Sequence, residues 1–283
     1  MKSGISIIGA GRIGRALGRR LRENGWKIHA VVTRSQTTAR RALRSIGGGN
    51  ASVGLGRETL SASVLLIAVP DSAIEDIVNQ LAAFGPAELR GKIALHTSGA
   101  RGCEVMSALR SDRVSIGSIH PLQSFSGIGI PSLDGRIFAV EGDPAAVRVA
   151  RGIARALGGH IVQLEASEKP LYHAAAVMCA GQLLALEESA IQLFVSLGMK
   201  RQEAMKALLP LTRQVLENLE RLGPRASWTG PLARGDYRVI GLHENALRSA
   251  PPEYLDAYRA MNRLAARVLA RDPDAALNEL ASI

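Results

Sequence analysis

One short segment brings together three side chains that can move protons. Lys169, Tyr172 and His173 lie within five consecutive residues. Because Lys169 and His173 are four positions apart, a helix would point both to the same side, with Tyr172 beside them. A partly buried lysine near another cation or an apolar wall has its pKa lowered enough to exchange a proton near neutral pH. The spacing also fits a surface lysine and a histidine packed in an interface, so both interpretations stay open.

Ser98 and His120 each follow an apolar run that predicts a strand. An open α/β sheet binds ligands at the carboxyl ends of its strands, so we expect both residues near the Lys169 segment. A small polar residue such as Ser98 is typical of a nicotinamide site, and His120 is a candidate substrate contact. Each residue also has a structural alternative. Ser98 could cap a helix over 101–109, and His120 could make a structural hydrogen bond to the backbone.

A third segment of this kind, Val69-Pro70-Asp71, follows an apolar strand over 64–69. We expect the backbone of Val69 and Pro70 to line the nicotinamide ribose of a bound cofactor. Asp71 is better explained as the cap of a helix that begins at Ser72.

A glycine-rich turn follows the first apolar strand. Its sequence is Gly9-Ala10-Gly11-Arg12-Ile13-Gly14. In such a motif the first glycine allows the tight turn, the second lets the backbone approach a pyrophosphate, and the third lets the helix pack on the strand. The start of the helix then holds the phosphates. The motif therefore predicts a dinucleotide site formed by Gly9, Gly11, Arg12, Ile13 and Gly14.

The second strand ends in Thr33-Arg34-Ser35, and no acidic residue occurs from Asn24 through Arg57. A domain that prefers NAD normally places Asp or Glu at this strand end, where it binds the ribose 2'-hydroxyl. A guanidinium with two hydroxyls suits a 2'-phosphate instead, because Arg donates in a fixed fork to an anion. The segment predicts NADP as cofactor, with a solvated Arg34 as the alternative.

Apolar β-branched runs alternate with helical patterns up to about residue 166, which predicts a parallel sheet with helices between its strands. Long helical patterns follow. The fold class is thus α/β, with a dinucleotide-binding parallel-sheet domain over 1–166 and an all-helical domain over 167–283. The predicted strands are 3–8, 27–33, 64–69, 92–97, 114–119, 136–141 and 160–164, with 52–55 as a possible short addition. The predicted helices of the second domain are 168–197, 201–222, 237–248 and 252–270.

Composition excludes several classes of protein. The net charge is +10, but aromatic residues are only 4% of the chain, so the stacking platforms of single-strand nucleic-acid binders are missing. No apolar run approaches the ~20 residues that span a bilayer, and we expect a cytoplasmic protein with no membrane partner. Cys103 and Cys179 show no metal-ligand spacing, so no metal site is expected and both cysteines are expected to be buried.

These motifs together resemble the 6-phosphogluconate dehydrogenase and β-hydroxyacid dehydrogenase superfamily. The resemblance is strongest to a bacterial two-domain family with a Rossmann-like domain and a helical domain of unknown function, and it covers nearly the whole chain. The segments that carry it are 9–14, 68–71, 96–100, 120–125, 169–176 and 229–236.

The resemblance implies roles for single residues. In β-hydroxyacid dehydrogenases a lysine at the position of Lys169 is the catalytic acid/base, and an asparagine four residues later orients substrate, where this chain has His173. Close relatives often have Asn where this chain has Gly181. Arg234 lies in a loop that the resemblance places on the site, where it could clamp a substrate carboxylate or pair with Asp236. A homodimer through the helical domain is also implied.

The sequence therefore predicts an NADP-dependent dehydrogenase or reductase that acts on a small carboxylate-bearing carbonyl or hydroxy compound, with a ketopantoate-like substrate as one candidate. Lys169 would exchange the proton, His173 and His120 would position the reacting oxygen, and Ser98, Tyr172 and Arg234 would hold substrate. The alternative is a non-catalytic NADP(H)-binding sensor or scaffold, which Gly181 favours mildly.

Overall fold

The computed structural model describes residues 4–283. The chain forms two compact units: the first runs to Ala180 and the second is Gly181–Ile283. The sequence places the domain boundary earlier, between residues 166 and 167. The difference arises because the helix that begins at Lys169 is bonded to the sheet of the first unit, as described below.

Eight strands form one sheet in the first unit. They are β1 Ile5–Ile8, β2 Ile28–Thr33, β3 Asn50–Val53, β4 Val64–Ile67, β5 Ile93–His96, β6 Ser115–Pro121, β7 Ile137–Gly142 and β8 His160–Gln163. Their spatial order is β3-β2-β1-β4-β5-β6-β7-β8. The central strands β1 and β4 are buried along their whole length, as expected where helices cover both faces of a sheet. The predicted strands are confirmed to within two or three residues, and residue 3 lies outside the described part of the chain.

The sheet is not parallel throughout, which corrects the prediction. β6 and β7 pair antiparallel, with Ser118 opposite Glu141 and Ile119 opposite Val140, whereas the other strand pairs are parallel. Parallel neighbours need a crossover of a dozen or more residues, usually a helix. Between β6 and β7 the described chain forms only a loop, so β7 returns beside β6 in the opposite direction.

Helices pack on both faces of this sheet. They are α1 Arg12–Glu23, α2 Gln36–Ile46, α3 Arg57–Leu60, α4 Ile74–Ala82, α5 Pro86–Leu89 and α6 Pro144–Ala156. One apolar core joins α1, α2 and α6 to the sheet, and a second joins α4 and a 3-10 segment, Cys103–Asp112, to the other face. That 3-10 segment replaces the helix predicted over 101–109. Short 3-10 turns at Asp71–Ala73 and Ala166–Glu168 precede α4 and the next helix.

The remaining helices follow without strands in the described residues. They are α7 Lys169–Val177, α8 Leu183–Ser196, α9 Arg201–Leu222, α10 Pro224–Ser227, α11 Tyr237–Leu247, α12 Pro252–Leu269 and α13 Pro273–Ala281. A π-helical turn, Met178–Gln182, joins α7 to α8 and contains the boundary between the two units. The four predicted helices are confirmed, apart from this π turn. α10 and α13 are additional.

The continuous helical segment Ala166–Ser196 changes one prediction from the sequence. Its length and a mean hydropathy of 1.3 over an 18-residue window are those of a helix that could cross a membrane, although length and composition alone say no more. We expected no such segment. The continuous helix arises because the π turn keeps α7 and α8 joined across Gly181. Cys179 lies in the π turn and is exposed, whereas Cys103 is buried as expected.

Candidate active site

The three motif glycines are explained by their backbone surroundings. Gly9 has φ +92°, and a Cβ on it would lie 2.5 Å from the carbonyl oxygen of Ala68. A Cβ on Gly14 would overlap the carbonyl oxygen of Gly9, so helix and turn can approach only without a side chain. A Cβ on Gly11 would meet nothing within 4 Å. Gly9 and Gly14 thus serve the fold, whereas Gly11 leaves open space above the start of α1.

That open space lies at an anion-binding end of a helix. Gly11 is the N-cap of α1, no side chain caps the helix, and its first turn contains no acidic residue. The first backbone N–H groups of a helix have no partner within the helix, and the helix dipole is positive there. The amides of Arg12, Ile13 and Gly14 fit the pyrophosphate of a dinucleotide, as the sequence predicts.

A basic cavity lies beside the same helix end. Its volume is about 240 Å³, and Arg12 and Arg15 line it together with the loop after β6, from Phe125 to Pro131. Arg12 donates from Nη1 to the carbonyl oxygen of Phe125 over 3.4 Å. The arginines face no carboxylate at ion-pair distance within residues 4–283. The cavity is distinct from the polar cluster described below and adds positive charge beside the cradle.

Three residues at the end of β2 were predicted to bind the cofactor, and the side chain of one of them, Arg34, is available to do so. Thr33 donates its hydroxyl to the carbonyl oxygen of Ser35 over 2.8 Å. The Ser35 hydroxyl caps α2, where it accepts from the amide of Thr38. Arg34 is exposed, and no carboxylate in the described chain pairs with it. Its guanidinium is the group at this strand end that can take a 2'-phosphate.

Ser98 and Asp71 bond to each other at neighbouring strand ends. The Ser98 hydroxyl donates to Oδ2 of Asp71 over 2.7 Å and accepts from the amides of Ala100 and Arg101. The capping role expected of Asp71 is therefore wrong: its carboxylate is turned to β5, and no side chain caps the 3-10 turn that it begins. Ser98 thus holds the turn that follows it, in agreement with the alternative prediction that it acts as a cap. With one donated and two accepted hydrogen bonds, the Ser98 hydroxyl is fully engaged.

Lys169 lies buried beneath the turn that follows Ser98. It is completely buried, and its Nζ donates to the carbonyl oxygen of Ser98 over 3.0 Å and to the hydroxyl of Ser118 over 2.9 Å. Ser118 donates in turn to Glu141, its partner across β6 and β7, over 3.0 Å. Glu141 also accepts the amide of Cys103. Burial lowers the pKa of Lys169 to about 8, and the charge of Glu141 opposes that shift.

His120, Tyr172 and His173 form the half-buried side of the cluster. Nδ1 of His120 lies 2.9 Å from the hydroxyl of Tyr172. The rings of His120 and His173 meet edge to face with centroids 5.6 Å apart. Both rings pack on Gly99, where an added Cβ would lie 2.5 Å from Nδ1 of His173 and 2.9 Å from Nε2 of His120. Nδ1 of His173 is buried and has no hydrogen-bond partner in the described chain.

Burial sets the protonation of the aromatic groups. It lowers the pKa of His120 to about 4, and the charges of His173 and Lys169 act in the same direction. Burial also lowers the pKa of His96 to about 4, with Lys169 again contributing. The pKa of the Tyr172 phenol is raised to about 12 by burial. His96 and His120 are therefore neutral imidazoles, and Tyr172 is a neutral phenol, at pH 7.

Three members of the cluster were not expected from the sequence: His96, Ser118 and Glu141. His96 binds the carbonyl oxygen of Gly102 with Nε2 and accepts the amide of Ser98 with Nδ1, so it holds the turn. An acidic residue at the end of the apolar run Phe138 to Val140 was the available signal for Glu141. Its partner on β6 was not visible without the antiparallel pairing.

Arg234 and Gly181, which the sequence singles out, both belong to the helical unit. Arg234 ends a 3-10 turn and forms no ion pair with Asp236. The Asp236 carboxylate caps α11 by accepting from the amide of Val239. His243 bonds to the hydroxyl of Tyr258 over 2.7 Å. A Cβ on Gly181 would meet nothing within 4 Å, and residues 4–283 contain no group of acidic, His and Cys side chains that could hold a metal ion.

Comparisons with known proteins agree with this architecture. Residues 1–121 match the model of a Rossmann-like domain, and residues 136–265 match the model of a domain of unknown function, DUF2520. No curated protein matches the chain. The predicted α/β fold with a helical C-terminal part is confirmed, whereas its wider superfamily stays a prediction.

Several solved structures share the fold over nearly the whole chain. BF3122 from Bacteroides fragilis, named as an NADP oxidoreductase, has a TM-score of 0.76 and 21% identity, covering 92% of this chain and 96% of its own. An imine reductase from Pseudomonas sp. has a TM-score of 0.68 and 20% identity, covering 99% and 100%. A reductive aminase from Aspergillus terreus, in complex with NADPH, has a TM-score of 0.68 and 18% identity, covering 94% of both chains.

Proposed function

We propose that this protein is an NADP-dependent oxidoreductase that transfers a hydride between NADP(H) and a small compound. One observation carries the proposal: the open glycine cradle after β1 and the cluster of ionisable residues at the carboxyl ends of β4, β5 and β6 lie at the same edge of one sheet. A pure binding module needs no group of buried lysine, histidines and tyrosine at that edge. When bound, the cofactor supplies or accepts the hydride.

The residues present fit NADP better than NAD. Gly11 and the amides of Arg12, Ile13 and Gly14 would hold the pyrophosphate. Arg34 would bind the 2'-phosphate, because it is exposed and has no competing carboxylate within residues 4–283. The backbone at Val69 and Pro70 would line the nicotinamide ribose.

The substrate we propose is a small carbonyl or hydroxy compound that bears a carboxylate, with ketopantoate-like reduction as one candidate. Arg234 would bind the carboxylate, since Asp236 is engaged in capping α11 and leaves its guanidinium without an ion-pair partner in the described chain. The names of the imine reductase and the reductive aminase add imines to the compounds worth testing. Reduction of either class consumes a proton, which the polar cluster would supply.

We also propose a cytoplasmic homodimer formed through the helical unit. Large apolar side chains stand exposed along its helices, with Leu184 70% exposed and Leu197 80% exposed. The segment Ala166–Ser196 contains Glu187 and Glu188, which bind Thr212 and Arg201. Charged groups are costly in a bilayer, so burial against a second copy is favoured over burial in lipid. Light scattering on the purified protein tests for the dimer, and membrane fractionation tests for lipid association.

NADPH oxidation followed at 340 nm tests the proposed function. The panel contains small 2-keto acids, 3-keto acids, semialdehydes and cyclic imines, and the affinity for NADPH is titrated on the same sample. Turnover of any member supports the oxidoreductase. Tight NADPH binding without turnover across the panel supports the sensor or scaffold, for which the empty position at Gly181 is the observation in favour.

A further inference from the structure

Lys169 is poorly placed to touch a substrate. Its ammonium has no exposed surface, and it donates into the protein, to the Ser98 carbonyl oxygen and to Ser118. Behind Ser118 lies Glu141, which is itself buried. A general acid must come within hydrogen-bond reach of the atom that it protonates. The geometry instead gives Lys169 a positioning role. Its buried positive charge balances the negative charge of Glu141, and its bond to the Ser98 carbonyl oxygen holds the Ser98–Gly99 peptide in place.

The ionisable groups of the cluster that are only half-buried are His120, Tyr172 and His173. The Tyr172 hydroxyl lies 2.9 Å from Nδ1 of His120. A neutral imidazole carries one N–H, so with the phenol donating to Nδ1 that N–H lies on Nε2. Nε2 and the unpartnered Nδ1 of His173 both face Gly99. A buried polar atom without a partner is costly, which marks this place for a polar group of a ligand.

We propose that Tyr172 and His120 form the proton relay of the reduction, and that Lys169, Ser118 and Glu141 position it from below. This inference rests on the proposed function. As the hydride reaches the substrate carbon, the Nε2–H proton of His120 passes to the substrate oxygen or nitrogen. The Tyr172 hydroxyl proton passes to Nδ1. After product release Nδ1 returns this proton to the phenolate, and a proton from solvent restores Nε2–H. One hydride and one proton are consumed for each turnover, and His173 holds the new hydroxyl or amine through Nδ1.

The charged and titratable groups around His120 agree with a neutral relay. His173 and Lys169 disfavour the imidazolium, Asp71 favours it, and burial decides the balance. His120 therefore acts through its N–H as a neutral donor across the neutral pH range. In this arrangement the pH dependence of turnover reports Lys169 only indirectly, through the position of the Ser98–Gly99 peptide.

The test compares Tyr172→Phe with a matched control, Tyr258→Phe. Tyr258 also bonds Nδ1 of a histidine, His243, with ring centroids 5.9 Å apart, but in the helical unit. We expect Tyr172→Phe to keep the melting temperature and the NADPH Kd and to lower kcat by about 10²- to 10⁴-fold, the range of general acid catalysis. Tyr258→Phe should keep the wild-type kcat. Wild-type kcat in folded Tyr172→Phe would overturn the relay.

A proton inventory in mixtures of H₂O and D₂O distinguishes the residues that transfer protons, Tyr172 and His120, from Lys169, which positions them. The wild type should show the curved dependence of two protons in flight, and Tyr172→Phe a linear one. The double variant Lys169→Met/Glu141→Gln removes both buried charges together, so that neither is left uncompensated. It should lower kcat while keeping the curved inventory. A straight inventory in this folded double variant, with a curved one in Tyr172→Phe, would make Lys169 the donor.

A second measurement does not depend on turnover. Nitrogen-15 NMR of the histidine side chains, with NADPH bound, should show His120 as the neutral Nε2–H tautomer at pH 7 and a changed tautomer ratio in Tyr172→Phe. His120 as the Nδ1–H tautomer would contradict the relay even in an active enzyme. Absence of turnover across the panel would instead contradict the proposed function, whatever the tautomer.

Discussion

Gly99→Ala is predicted to disturb the chemistry without disturbing the cofactor. A Cβ at this position would lie 2.5 Å from Nδ1 of His173 and 2.9 Å from Nε2 of His120, whereas ordinary contacts begin at 3.4 Å. The rings must therefore move by about 0.9 Å and 0.5 Å. A misplacement of about 1 Å at a reacting centre costs on the order of 10²-fold in rate, or roughly 2.7 kcal/mol of activation free energy.

The assay compares kcat and the NADPH Kd of Gly99→Ala with those of Gly152→Ala. Gly152 lies in α6, and a Cβ on it would meet nothing within 4 Å. We expect Gly152→Ala to match the wild type in both quantities, and Gly99→Ala to lose about 10²-fold in kcat while binding NADPH normally. Unchanged kcat in Gly99→Ala would refute the placement of the reacting group over the two imidazoles.

Three further predictions concern the cofactor and the buried histidines. Arg34→Asp should weaken NADPH by about 10- to 100-fold, the equivalent of a charge-assisted hydrogen bond of roughly 1.5–3 kcal/mol, and leave NADH unchanged or improved; equal loss of both cofactors in titrations would count against the 2'-phosphate site. Gly11→Ala should keep the melting temperature but weaken NADPH at least about tenfold, because its Cβ occupies the space for the pyrophosphate, and a normal NADPH Kd would refute that use of the space. His96 and His120 have pKa values lowered to about 4 in the folded state. Between about pH 6.5 and 4 the unfolded chain therefore binds more protons than the folded protein, and the free energy of unfolding should fall as the pH falls. Urea midpoints that stay constant over that range would contradict the burial of both histidines as neutral rings.

The sequence predicted the parts of the fold that depend on local patterns. The turn from Gly9 to Gly14 and the strands around it follow from residue types at neighbouring positions, and the backbone contacts of Gly9 and Gly14 give the expected reasons. The three strand-end segments that contain Asp71, Ser98 and His120 were also expected at one edge with the Lys169 segment, because parallel strands bring their carboxyl ends together. The bonds of Lys169 to Ser98 and Ser118 show the segments to be in contact.

The partners within the site could not be predicted because they depend on distant pairing. Glu141 reaches Lys169 through Ser118 only because β7 runs antiparallel to β6 and sets residues 118 and 141 opposite each other. The local sequence favoured Asp71 as a helix cap. Its carboxylate instead accepts a hydrogen bond from Ser98, just after the neighbouring strand β5. The complete burial of Lys169 is likewise a property of packing, whereas a position in the first turn of a helix gives no sign of it.

A crystal structure of the protein with NADP⁺ bound would show whether the cofactor and the ionisable cluster form one site. We expect the pyrophosphate over Gly11, the 2'-phosphate on Arg34, and the nicotinamide along the backbone of Val69 and Pro70, with Nε2 of His120 facing the adjoining space. A nicotinamide ring bound away from His120 would contradict the proposed reduction, because the cofactor and the ionisable cluster would then belong to separate sites.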